Sequence, residues 1–93
     1  MMEIQVTITG LVQGVGFRDF VQNAAEELSL TGYVQNKNDG SVFVCAQGEP
    51  EALRQLVEYL HEGSPLSRVD GVAAEWGTVR NPRTDFSIAA FLG

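Results

Sequence analysis

The residues that could do chemistry cluster in one stretch, Gly10-Leu11-Val12-Gln13-Gly14-Val15-Gly16-Phe17-Arg18. It has three glycines and no hydrophobic alternation, so it reads as a loop, and it runs into a segment of helical period. Successive backbone N–H groups in such a loop can converge into an anion nest. The helix start adds unpaired N–H groups and the positive end of its dipole. Glycine lets the backbone approach a phosphate with no Cβ in the way. Arg18 places a planar guanidinium fork at the same spot, suited to two phosphate oxygens at once. The chemistry on offer is the holding of one small anion. No Gly-Lys-Ser/Thr is present, so this is not a Walker loop. The same residues also read as a tight turn whose arginine pairs with a surface acid such as Asp19.

Other reactive residue types stand apart from one another. His61 is the one histidine and Cys45 the one cysteine. Two distant ligands do not make a zinc site, which normally needs four. Cys45 sits in an apolar stretch without a nearby cation in sequence, so it reads as an inert core thiol. Asp19, Glu26 and Glu27 read as a solvated helix face, and Lys37, the only lysine, as an exposed strand residue that could add positive potential. Neither a Ser-His-Asp nor a Cys-His set is evident. No metal or cofactor is expected.

The 93 residues suffice for one domain, expected to span 1–93. At 44% hydrophobic and 19% charged, the chain is too apolar to be disordered. Twelve acids against six bases give a net charge of -6, which argues against a phosphate-backbone binder and disfavours anionic membranes. The dispersed Arg54, Arg68, Arg80 and Arg83 make no nucleic-acid stripe. No apolar run of about 18 residues is present to cross a bilayer. The N-terminus lacks the basic and apolar regions of a signal peptide. A cytoplasmic monomer without an internal disulfide is the expectation.

The elements must now position the loop. Ile4, Val6 and Ile8 alternate with polar residues, a first strand with one buried face. Phe17, Val21, Ala24, Ala25 and Leu28 then recur at helical spacing, and Leu30-Thr31-Gly32 ends that helix. Tyr33-Val34-Gln35 begin a second strand, and Asn38-Asp39-Gly40 signals a hairpin into Ser41–Ala46, apolar on both sides and so central. Pro50 opens a second helix with the stripe Leu53, Leu56, Val57 and Leu60, stopped by Gly63. Val69–Val79 is a fourth strand. Phe86, Ile88 and Ala90 suggest a short last one, and Trp76, Phe86 and Phe91 read as core and edge packing. The order β-α-β-β-α-β with an extra C-terminal strand predicts an α+β two-layer sandwich. This is the ferredoxin-like plait, with two helices on one face of an antiparallel sheet. Right-handed crossover makes the first two strands parallel, so both end at the same edge.

The loop motif resembles the first signature of the acylphosphatase family. Gly32-Tyr33-Val34-Gln35-Asn36-Lys37-Asn38-Asp39-Gly40-Ser41-Val42 resembles the second, and Gly63-Ser64-Pro65-Leu66-Ser67-Arg68-Val69-Asp70 a further family feature. The resemblance runs along nearly the whole chain and implies the same plait. It implies metal-independent hydrolysis of the carboxyl–phosphate bond of acyl phosphates. It assigns phosphate binding to Arg18 and water positioning to Asn36, and the loop N–H groups of Gln13, Gly14, Val15, Gly16 and Phe17 can complete the phosphate site. Asn36 is neutral at every working pH and a poor base, but its amide can orient a water. Asn38 competes for that role, yet its place in the Asn-Asp-Gly turn explains it.

A second class remains open: a module of the same fold that holds phosphate or carbamoyl phosphate without turnover, as in acylphosphatase-like domains of larger proteins. The absence of an appended domain favours a stand-alone enzyme. An RNA-binding plait is disfavoured by the charge and by the lack of an aromatic RNA-binding strand motif.

Overall fold

A computed structural model describes residues 1–90. The elements are β1 (Met2–Leu11), α1 (Phe17–Glu27), β2 (Thr31–Asn36), β3 (Val42–Gly48), α2 (Pro50–Glu62), β4 (Arg68–Thr78) and β5 (Phe86–Ile88). The five strands form one sheet in the order β4-β1-β3-β2-β5. β3 pairs antiparallel with both β1 and β2, so β1 and β2 run the same way and end at one edge.

Period-two alternation builds the core. Ile4, Val6 and Ile8 lie opposite Ala46, Val44 and Val42 across the β1–β3 ladder, and all six are fully buried. Phe17, Val21, Ala24 and Ala25 of α1 and Leu53, Leu56 and Leu60 of α2 close over that face. Each large side chain so buried contributes about 1.5–3 kcal/mol over exposure.

The opposite face of β3 is covered as well. Gln47, 2% exposed, donates from Nε2 to Glu3 Oε1 at 3.0 Å and to Asn81 O at 2.9 Å, and its Oε1 accepts from Arg83 N at 3.0 Å. Segment 79–85 is thereby held on the outer face, and Cys45 lies buried there. Burial and the neighbouring Glu3 push the thiol up to about 11, which keeps it protonated and unreactive.

Three sequence expectations shift. The sheet is antiparallel through β1–β4, but β5 pairs parallel with β2. β4 finishes at the end where β2 starts, so the chain crossing the outer face enters beside β2 in its own direction, with Gly32 N donating to Asp85 O at 2.8 Å. The first loop begins later than the glycine count suggests. Gly10 and Leu11 still pair with β4, through a bulge at Thr9/Gly10. α1 stops at Glu27, and Ser29 (φ 58°), not Gly32, makes the left-handed turn. Gly32 serves the sheet: a Cβ there would stand 1.9 Å from Cys45 O. Of the core and edge packing expected for the aromatics, Trp76 takes the edge: it is 44% exposed on β4, near Arg54 of α2 at 6.0 Å. Phe86 is buried as expected, and Phe91 lies outside the described residues.

Candidate active site

The loop between β1 and α1 is pinned at both ends and open in the middle. Val12 and Phe17 are 1% exposed and anchor it in the core. Ser64, at the turn after α2, donates from Oγ to Val15 O at 3.1 Å and braces it from the side. Gly14 and Gly16 both take φ 74°, whereas Val15 between them does not have positive φ. Such alternation turns successive N–H groups toward one point. A Cβ at Gly14 or Gly16 would meet nothing within 4 Å. These glycines are therefore required by backbone conformation and face open space. Gly10 differs: a Cβ there would lie 2.1 Å from Arg68 O, so strand pairing requires it.

Gly16 is also the N-cap of α1 and supplies no capping side chain. The first helical bond runs from Phe20 N to Gly16 O at 3.1 Å. Among the described residues, the N–H groups of Phe17, Arg18 and Asp19 have no acceptor. A helix start left this way has N–H groups free to meet an acceptor from outside the chain.

Arg18 stands in the first turn of α1, half-buried. Among the described residues the ion pairs are Arg54–Glu51 at 3.2 Å and Arg68–Asp70 at 3.0 Å, so Arg18 is not spent on Asp19. Gly14, Gly16, Arg18 and Asp19 line a cleft of about 220 Å³ together with Val12, Phe17 and Ile88.

Asn36 closes β2 and pairs with Val42, which in turn pairs with Ile8. That row places Asn36 on the helix-covered face, at the sheet edge from which the loop departs. Its Oδ1 is buried and has no hydrogen-bond partner among the described residues. An orphaned amide oxygen costs about 1–3 kcal/mol, which a donating water would recover. Asn36 does not itself line the Arg18 cleft. The two are linked through Gln13, whose Nε2 donates to Lys37 O and to Ser41 O, both at 2.8 Å.

Of the seven expected site residues, the structure thus brings Gly14, Gly16, Phe17 and Arg18 to one cleft. Val15 packs partly against the core, the Gln13 side chain turns to the hairpin, and Asn36 stands beside the hairpin residue that Gln13 grips. Asn38 is exposed in the turn, and Lys37 lies with Nζ 5.5 Å over the Phe43 ring. His61 is exposed in the last turn of α2. Sequence reasoning missed the two braces, Gln13 through its side chain and Ser64. Neither pairing leaves a local signal, since the partners are 24 to 49 residues apart.

Fold and loop together define a ferredoxin-like plait with an open, glycine-containing loop at a helix start. The Acylphosphatase family model matches residues 4–88. An acylphosphatase of Halorhodospira halophila is 54% identical over 74% of this chain and 75% of its own length. One from Salinibacter ruber is 41% identical over 91% and 90%. The crystal structure of acylphosphatase from Bacillus subtilis superposes with a TM-score of 0.93 at 38% identity, covering 96% of this chain and 99% of that one. The chain belongs to the acylphosphatase family.

Proposed function

We propose that Arg18 and the N–H groups from Gln13 to Phe17 hold the phosphoryl group of an acyl phosphate while Asn36 orients the attacking water. The enzyme is an acylphosphatase, a hydrolase that cleaves the carboxyl–phosphate bond. Water oxygen bonds to phosphorus, the bond from phosphorus to the acyl oxygen breaks, and its electron pair leaves on the carboxylate. Such a transfer needs positioning and charge stabilisation around the equatorial oxygens rather than covalent help. The cradle supplies both without rearranging as charge shifts. A carboxylate leaves readily and needs no strong acid. Asn36 cannot take the water's proton, so a phosphoryl oxygen of the substrate accepts it.

The observation that carries this reading is Arg18, without an ion pair among the described residues, sharing a cleft with two left-handed glycines at an uncapped helix start. Inorganic phosphate tests it. Phosphate should inhibit hydrolysis of acetyl phosphate competitively in the parent, and this inhibition should be lost in Arg18→Ala. Equal inhibition of both proteins removes Arg18 from the site. A pH–rate limb abolished by removing an enzyme base would refute proton uptake by the substrate.

Residues 1–93 are further proposed to act as one domain, a cytoplasmic monomer needing no metal, on small acyl phosphates rather than on nucleic acid or membranes. The net charge of -6 and the single buried cysteine support this.

A further inference from the structure

The side chain of Gln13 has no part in the phosphate cradle, yet both of its amide hydrogens are used. One goes to Lys37 O and the other to Ser41 O, each at 2.8 Å. The acceptors bracket the end of the β2–β3 ladder: Lys37 follows Asn36, Ser41 precedes Val42, and Asn36 and Val42 are the last pair. The hairpin does not need Gln13 to close. Lys37 N donates to Ser41 O at 2.9 Å, Gly40 N to Lys37 O at 3.3 Å, and Asp39 Oδ1 accepts from Ser41 N and Oγ. What the amide adds is a clip between this hairpin and the residue that opens the Gly14-Val15-Gly16 turn. Among the described residues it provides the only side-chain hydrogen bonds between the loop and the hairpin.

We propose that Gln13 is a positioning residue: its amide fixes Asn36 relative to the anion cradle, so that the oriented water lies in line with the held phosphoryl group. This rests on the roles given above to Arg18 and Asn36. Placement matters steeply for such an attack, since an error of about 1 Å can cost about 100-fold in rate. Phosphate binding depends on it less, because Arg18 and the free N–H groups all lie on the loop side of the clip.

The experiment is a double-mutant cycle on phosphate release from acetyl phosphate, with inorganic phosphate as the competing ligand. Gln13→Ala should lower kcat about 10- to 100-fold while the inhibition constant for phosphate stays within about threefold. In an Asn36→Ala background the same substitution should lower kcat by less than about threefold, because its effect passes through Asn36. Gln13→Glu preserves shape and adds a pH readout. Its carboxylate opposes two carbonyl oxygens, whereas its acid form donates to one. Its kcat relative to the parent should therefore climb as pH falls from about 8 to about 5.

Equal losses in the two backgrounds, phosphate affinity falling in step with kcat, or a flat pH ratio would overturn the proposal. Lost turnover in Asn36→Ala with parental turnover in Gln13→Ala would overturn this proposal alone. Parental turnover in Asn36→Ala would overturn the site reading beneath it as well.

Discussion

Ser64 Oγ donates to Val15 O at 3.1 Å and joins the turn after α2 to the middle of the anion loop, 49 residues earlier. Ser64 is 6% exposed, and Ser67 Oγ in turn donates to Ser64 O at 2.7 Å. Ser64→Ala leaves the Val15 carbonyl without its partner, at a cost of about 1–3 kcal/mol. A urea titration should show a lower midpoint at unchanged slope. An unchanged midpoint would mean that the loop holds itself.

The glycines separate stability from function. Gly32→Ala puts a Cβ 1.9 Å from Cys45 O and should fail to fold or unfold at low denaturant. Gly14→Ala and Gly16→Ala meet no neighbour. They carry only the left-handed backbone cost of about 1–2 kcal/mol. Each should stay folded and lose affinity for inorganic phosphate as the N–H groups swing away. Full affinity in both would take the nest out of the binding site.

Cys45 gives a pH dependence with a definite sign. Burial chiefly, and Glu3 next, raise the thiol from 9.0 to about 11. The folded state therefore holds the proton more tightly than the unfolded chain. The stability this confers is present in full below pH 9.0 and drains away as pH rises from there toward about 11. Cys45→Ala should flatten that part of the stability–pH curve. Thiol alkylation at pH 8 should be slow in the native protein and fast in urea.

At the acid end, the Ser41 hydroxyl and N–H hold the Asp39 carboxyl below its ordinary value of 3.8. A depressed acid stabilises the fold above its unfolded pKa and loses that effect as pH drops through its folded one. Asp39→Asn should thus reduce the acid sensitivity of unfolding below pH 3.8. Identical acid curves for the two proteins would count against the Asp39–Ser41 contact.

Much of this was legible in the sequence because it is local. Ile4-Val6-Ile8 and Leu53-Leu56-Leu60 announce their periods, Asn38-Asp39-Gly40 its turn, and Gly14 and Gly16 the loop. What escaped is what depends on distant chain. Gly10 and Gly32 look like loop and cap residues, yet Arg68 and Cys45, across the sheet, require them. Trp76 reads as core or edge from its type alone, and the place of β4 at the sheet edge decides for the edge. The parallel entry of β5 follows from where β4 ends, which no window of sequence displays. Asn36 was marked by resemblance. Its buried Oδ1, without a partner among the described residues, is a property of the fold.

The net charge of -6 opposes nucleic acid, where many phosphates must be met at once, but not the one small anion proposed for Arg18 and the loop N–H groups. Long-range repulsion should still slow capture of the substrate. Added salt should then raise kcat/KM, since screening at 0.15 M acts beyond about 8 Å. A fall with salt would show that attraction at the site outweighs the surface.

The most direct measurement is steady-state phosphate release from acetyl phosphate by the parent, Arg18→Ala and Asn36→Ala, without added metal and with chelator present. Arg18→Ala should lose both binding and rate, at least about 100-fold in kcat/KM. Asn36→Ala should lose kcat by a similar factor and keep its affinity for inorganic phosphate. Parental turnover in both variants would contradict the assignment of the site. A parent that binds phosphate but releases none from the substrate would contradict hydrolysis itself.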